Sequence, residues 1–282
     1  MTTITGRSDV STHSNDELIA SNLLVNYDNA AVVLGSLIRR PNVAKGEKSF
    51  TLLSTGDFTA ADLADEGSIT ATTLSKAVQQ VDLDKEPSVG WQITKGGSIQ
   101  SVLDEEALGF ERATAAIIQK MELDALAAFR AGVSTSAPDH KLQLSGTGNL
   151  EINQADIINF RKLLNKQNLP KEDRFLLISP DQEAAMLNIS DFVRADAYGN
   201  SNIATGEIGR VYGFTVLMSN NVQDTEVFAY HRSCAQWAMQ LEMELMSLDQ
   251  PLKRLTEYSL AGLWNIAVVQ DGKYLVHADE VA

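Results

Sequence analysis

VLDEEALGFERATAAIIQKMELDALAAFRA, residues 102–131, reads as one unbroken helix. Ser101 stands before it with Asp104 three residues on, so a hydroxyl and a carboxylate are placed to take the free N–H groups of the first turn. Gly132 follows, a residue that tolerates the left-handed conformation in which many helices end. No proline interrupts the run, and Gly109 is its only glycine. Leu103, Ala107, Phe110, Ile117, Met121, Ala125 and Ala128 recur at spacings of three and four, which predicts one apolar face. At about 1.5 Å per residue the helix is roughly 45 Å long. A compact chain of this size has a radius of gyration of only about 19 Å. The sequence therefore predicts a flat or elongated subunit with a spine, and flat subunits tile.

Composition narrows the classes. The chain has 282 residues, enough for a full core, with 44% hydrophobic and 21% charged residues, as in ordinary globular proteins. Its longest apolar run, Ala30 to Ile38, is far short of a membrane span, and no basic-then-apolar leader opens the chain. A single cysteine, Cys234, excludes an internal disulfide. The formal charge is −14, from 23 basic and 37 acidic residues, with no basic cluster longer than Arg39-Arg40. Sequence-reading of DNA or RNA needs cationic surface, and this chain lacks the composition for it.

Upstream of the spine, residues 1 to 13 are small and polar, an arm without a core of its own. Asn15 to Arg40 carries Leu18, Ile19, Leu23, Leu24, Val32, Val33, Leu37 and Ile38, which suggests one or two short amphipathic helices closed by Pro41. These either cover their own core or dock on a neighbour. Ser49 to Leu53, Ser68 to Ala71 and Ala77 to Leu83 are strand-like, joined by a polar, acidic, alanine-rich connection. Two strands of about ten residues reach roughly 33 Å. A hairpin with so little to bury is marginal alone, so its stability is expected from the next subunit.

Downstream, Ser134 to Gly148 reads as a loop, and Asn153 caps a helix from Gln154 to Gln167. Arg174 to Ile178 is a buried strand, and Ser179-Pro180 starts another helix. Asp191 to Gly206 is loop-like. Residues 206–213, GEIGRVYG, lead into the strand Phe214 to Met218. Gln236 to Leu245 alternates apolar and polar residues, a strand with one wet face, and Tyr258 to Val269 continues as sheet. Asp271-Gly272 before Tyr274-Leu275-Val276 signals a tight hairpin. The fold class is α+β.

Three stretches in this order resemble the major capsid proteins of tailed bacteriophages, the Hong Kong 97-type fold. They are the hairpin leading into the long helix (48–131), FLLISPDQ (175–182), and GEIGRVYGFTVLMSN (206–220), whose glycine-flanked turn, G-F-x-V strand and Ser-Asn end are the most specific. The resemblance covers nearly the whole chain. It implies an amino-terminal arm (1–45), an extended loop (46–84), a peripheral domain on the spine (85–172), an axial domain (173–225), and return strands (226–282). It also implies a homo-oligomer of pentamers and hexamers forming an icosahedral shell around packaged DNA, without sequence-specific contact and without a membrane. A scaffolding protein and a portal are expected partners, with room for a decoration protein. The location implied is the virion capsid, assembled in the host bacterial cytoplasm. Candidate inter-subunit contacts are Phe58, Leu63, Glu66, Lys76, Asp104, Arg112, Tyr198 and Arg210. Some members weld the shell through a lysine–asparagine bond. Here the loop tip, Ala60 to Gly67, has no lysine and Lys76 lies well back, so no cross-link is expected. The acidity either keeps packaged DNA off the wall, over a Debye length of roughly 8 Å, or only keeps the subunit soluble.

Enzymatic readings find little support. His231 and Cys234 could be a nucleophile pair, but a lone cysteine near one histidine is more often packing. His13, His140, His231 and His277 are scattered without zinc-site spacing. Asp82 and Asp84 face one side of a strand without a third ligand. Asp104, Glu105 and Glu106 suit a helix N-terminus, and the glycines at 206, 209 and 213 match no nucleotide-binding motif. No cofactor is expected. Two rivals remain: an encapsulin-like compartment of the same fold, and a soluble oligomeric α+β enzyme.

Overall fold

In the computed structural model, the described residues are 4–5, 32–39, 43, 46–55, 73, 76–101, 104–135, 139–146, 148, 150–189, 209–269 and 272–280. In chain order they form β1 (Ile4–Thr5), α1 (Val32–Ser36), β2 (Ile38–Arg39), β3 (Ser49–Thr55), β4 (Lys76–Asp82), β5 (Ser88–Thr94) and α2 (Lys95–Gln100). The spine α3 (Glu105–Gly132), β6 (Lys141–Gln143), α4 (Gln154–Lys166), β7 (Arg174–Ile178) and α5 (Pro180–Leu187) follow. The chain closes with β8 (Arg210–Val211), β9 (Phe214–Met218), β10 (Val227–His231), β11 (Ala235–Gln250), β12 (Leu255–Val268) and β13 (Leu275–Asp279). One sheet has the order β1-β5-β12-β11-β2, a second β6-β13-β10-β7-β9-β8, and β3-β4 stand apart as a two-stranded hairpin.

The spine starts later than its sequence suggests. Asp104, not Ser101, is the N-cap, its carboxylate accepting from the Ala107 N–H at 3.2 Å. Ser101 instead closes α2, which Thr94 opens by accepting from the Gly97 N–H. The buried face is Ala113, Ile117, Met121, Glu122, Ala125, Leu126 and Phe129. Phe110 is turned out, because the helix lays Gly109 against Trp91, where a Cβ would come within 2.5 Å of the indole Nε1. Gly132 is the last helical turn rather than a left-handed cap, and Val133 leaves it extended. A Cβ on Gly132 would meet Val268 at 2.6 Å, so the glycine is there for close approach to β12.

The spine packs across the seam of the two sheets. Leu126 and Phe129 of the spine meet Leu260 and Trp264 of the first sheet and Leu177, Phe228, Tyr230 and Leu275 of the second in one core. Behind the second sheet, α4 and α5 bury Ile157, Phe160, Leu164 and Met186 on Leu176, Ile178 and Val276. Both helices are well specified. Asn153 and Asp156 form a reciprocal capping box on α4, and Ser179 with Pro180 opens α5.

Several expectations change. The span 134–148 is not all loop, since β6 pairs in parallel with β13. The span 88–94 is a strand, β5, pairing antiparallel with Leu255 to Ala261 of β12. The Asp-Gly signal at 271–272 is no hairpin: β12 and β13 belong to different sheets. Gly272 does take a left-handed conformation (φ 72°), but its purpose is contact, for a Cβ there would overlap the Gly132 carbonyl oxygen. The true tight turn is Tyr212-Gly213, both at positive φ (46° and 89°) between the paired residues Val211 and Phe214. Of the expected helices in 15–40, the described part is α1, followed by a short strand.

Candidate assembly surfaces

The hairpin β3-β4 has two unlike halves. At its base Phe50, Leu52, Val81 and Leu83 are buried against Ala238 and Ala267 of the first sheet. Asn265 Nδ2 donates to the Asp82 carbonyl at 2.7 Å and to Asp84 Oδ1 at 2.9 Å, tying the root of the hairpin to β12. Gln240 Nε2 donates to the Glu47 carbonyl at 2.7 Å from β11. The base therefore rests on its own chain, which corrects the expectation that the loop leans wholly on a neighbour. Four apolar side chains were enough, because they all fall within the first turns of the ladder. Further out, Lys76, Ala77, Val78, Gln79 and Gln80 are all exposed, Val78 by 62%.

The second surface is the outer edge of the first sheet. Neighbouring β2 covers β11 only at Gln236 and Trp237. Two register shifts, between Met239 and Leu241 and between Leu241 and Glu244, then bend the strand. Beyond them residues 244–250 have no outer strand partner among the described residues. Leu245, Met246 and Leu248 are exposed there by 41, 59 and 61%, and Leu252 at the following turn is wholly exposed. An edge both apolar and unpaired is a pairing site for another chain.

Polar anchors tie the second sheet and its loops to the spine and to α1. Arg130 donates from Nε and Nη2 to the two oxygens of buried Glu226, at 2.8 and 2.6 Å. Burial pushes the Glu226 carboxyl up, but His277 at 3.4 Å and Arg130 more than offset this and hold it at about 2. Ser219 Oγ donates to Glu122 Oε1 at 2.8 Å inside the core. Burial raises that carboxyl despite Ser219, Asn221 and the Val33 and Val32 N–H groups. Ser36 Oγ donates to the Val33 carbonyl, so the buried Tyr230 hydroxyl, 2.7 Å away, donates to Ser36. Gln182 of α5 accepts from Ile152 N–H and donates to the Leu150 and Asp224 carbonyls, joining the loop before α4 to the loop before β10.

Of the candidate contacts, Phe58, Leu63, Glu66 and Tyr198 lie outside the described residues. Lys76 is exposed at the outer end of the β3-β4 ladder, Asp104 caps the spine, Arg112 is half-buried on it, and Arg210 is exposed beside the Tyr212-Gly213 turn. These four are spread over β4, the spine and β8. The edge at 244–252 was missed, although its surplus of apolar residues on both faces of an alternating strand was legible.

His231 and Cys234 are not a catalytic pair. The imidazole Nδ1 faces Ser233 Oγ at 2.7 Å, while the Cys234 thiol is fully buried and burial pushes its pKa up. No helix among the described residues is long and apolar enough to cross a membrane.

A shell subunit is what such surfaces serve. The phage capsid protein family model matches residues 99–259, and the chain belongs to that family. It is a structural protein of the virion capsid and not an enzyme. Solved structures carry the same fold. One from Mycobacterium phage Che8 is 18% identical, with TM-score 0.69 over 84% of this chain and 86% of that one. The capsid structure of cyanophage P-SCSP1u is 13% identical, with TM-score 0.71 over 86% of each chain. A virus-like particle from Pyrococcus furiosus is 12% identical, with TM-score 0.56 over 90% of this chain and 93% of that one. No curated protein sequence matches the chain. The expected Hong Kong 97-type α+β architecture stands.

Proposed function

We propose that the chain is the major capsid protein of a tailed bacteriophage, its copies gathering as pentamers and hexamers into an icosahedral shell around packaged double-stranded DNA. The observation that carries this is the family match, which runs from the end of α2 through the spine and most of the second sheet to β11 and the start of β12. The exposed outer hairpin and the bare edge of β11 supply the self-association a shell needs. Many modest contacts, repeated with symmetry and closed on themselves, sum to a durable object.

In this reading the arm is 1–45, the loop 46–84, the peripheral domain 85–172, the axial domain 173–225 and the return strands 226–282. The contacts fall at Phe58, Leu63, Glu66 and Lys76 of the loop, Asp104 and Arg112 of the spine, and Tyr198 and Arg210 of the axial tip. A scaffolding protein and a portal are further partners, assembly takes place in the host bacterial cytoplasm, and the loop forms no covalent weld. A charge of −14 suits a wall that does not hold DNA.

Negative-stain microscopy of the expressed full chain, alone and with the candidate scaffold, tests this. Polyhedral shells or capsomer rings are expected. Discrete small oligomers under both conditions would overturn it, and a shell formed only around a protein cargo would favour the compartment reading.

A further inference from the structure

His277 on β13 has a side chain only 5% exposed, stacked on Phe228 with ring centroids 4.6 Å apart, yet neither ring nitrogen has a hydrogen-bond partner. A buried imidazole whose two nitrogens make no hydrogen bond calls for an occupant. Its Nε2 stands 3.4 Å from Glu226 Oε1, close enough to feel the charge but without hydrogen-bond geometry. Two ligands each about 2.0–2.1 Å from a tetrahedral ion stand about 3.4 Å apart. An oxygen of Asp279 completes the group, all three ligand atoms lying within 4.8 Å of one another.

We propose that Glu226, His277 and Asp279 bind one first-row divalent cation of the zinc class. One imidazole nitrogen with two carboxylates suits Zn²⁺ or Co²⁺, whereas Mg²⁺ and Ca²⁺ prefer oxygen throughout. Arg130 holds Glu226 through both carboxylate oxygens, and each oxygen keeps a second lone pair for a metal. Ligating carboxylates are commonly oriented by such outer hydrogen bonds. Asp279 Oδ1 is oriented in the same way, by Thr225 Oγ1 at 3.0 Å and the Glu280 N–H at 2.7 Å. Two carboxylates against one guanidinium leave a negative charge for a cation to neutralise. The ligands come from the loop before β10 and from β13, and Arg130 comes from the spine. The ion therefore joins the last strand to the loop before β10, which Arg130 holds to the long helix.

The test is metal titration of the full chain after chelator treatment and dialysis, using ZnCl₂ and CoCl₂ with MgCl₂ as control. One Zn²⁺ per chain by calorimetry, a Co²⁺ visible spectrum of nitrogen–oxygen ligation and a higher melting temperature with Zn²⁺ are expected. Mg²⁺ should reproduce none of these. Asp279→Asn, on a half-buried side chain, and His277→Gln should each weaken Zn²⁺ binding at least about 10- to 100-fold, the loss that removing an outer-shell partner alone brings. Circular dichroism checks that each variant folds, and Asp279→Asn alone decides the matter if His277→Gln does not. No stoichiometric binding by the parent chain, or binding unchanged in Asp279→Asn, would overturn the proposal.

Discussion

Two buried carboxylates on the spine's flanks give stability opposite dependences on pH. Glu226, held down by His277 and Arg130 against the effect of its burial, titrates at about 2 rather than its ordinary 4.5. A depressed acid contributes stability above the unfolded value and loses it as pH falls, so this part fades between about 4.5 and 2. At about 1.4 kcal/mol per pH unit it is on the order of 3 kcal/mol. Glu122 is the reverse. Its carboxyl is raised by burial, so its contribution is whole below 4.5 and diminishes as pH rises through the raised value. Glu226→Gln should therefore flatten the acid limb of a stability-versus-pH curve and cost about 3 kcal/mol at neutral pH. Glu122→Gln, which keeps an oxygen for Ser219, should gain on the order of 1 kcal/mol at pH 8 and nothing at pH 4. Urea unfolding of the dissociated subunit across that range measures both, and parallel curves for all three proteins would refute the assignment.

Among elements, the β3-β4 hairpin shows how folding and assembly divide one piece of chain. Its buried side chains, Phe50, Leu52, Val81 and Leu83, lie in the part nearest the sheet. Deleting Gly56 to Gly67 removes none of them. The deleted subunit should melt within a few degrees of the parent yet form no closed shells, a large fall in melting temperature being the result against it. Where sequence and structure agree, the signals are local: the Asn153 cap of α4, the Ser179-Pro180 start of α5 and the apolar run of β7. Where they part, the cause is distant. The alternating Val89, Trp91 and Ile93 of β5 are strand-like, but β5 matters because β12 lies beside it, and neither implies the other locally. The three residues of β6 exist as a strand only because β13 returns to meet them in parallel. Asp271-Gly272 carried the right conformational message and the wrong topology, since its glycine serves the carbonyl of Gly132 rather than a ladder. The two bulges of β11 that set its edge free leave no mark in an alternating pattern.

For the whole molecule, a shell subunit must stay soluble and folded while keeping unpaired surface for its copies. The chain meets the first need with a charge of −14 and with cores that do not depend on the outer edge. It meets the second along 244–252, where Met246 and Leu248 project on one side by strand alternation and are more than half exposed. Lysines there would be solvated in the free subunit, so Met246→Lys with Leu248→Lys should change unfolding free energy by no more than about 0.5 kcal/mol per site. In a shell the same lysines must either be desolvated or hold the neighbour away, and the cost recurs at every copy. Closed particles should therefore disappear from micrographs and from the fast fraction in sedimentation, while monomer or capsomer persists. Shells of normal yield from the double variant would show that this edge faces solvent in the assembled object and that the hairpin and spine carry the contacts without it.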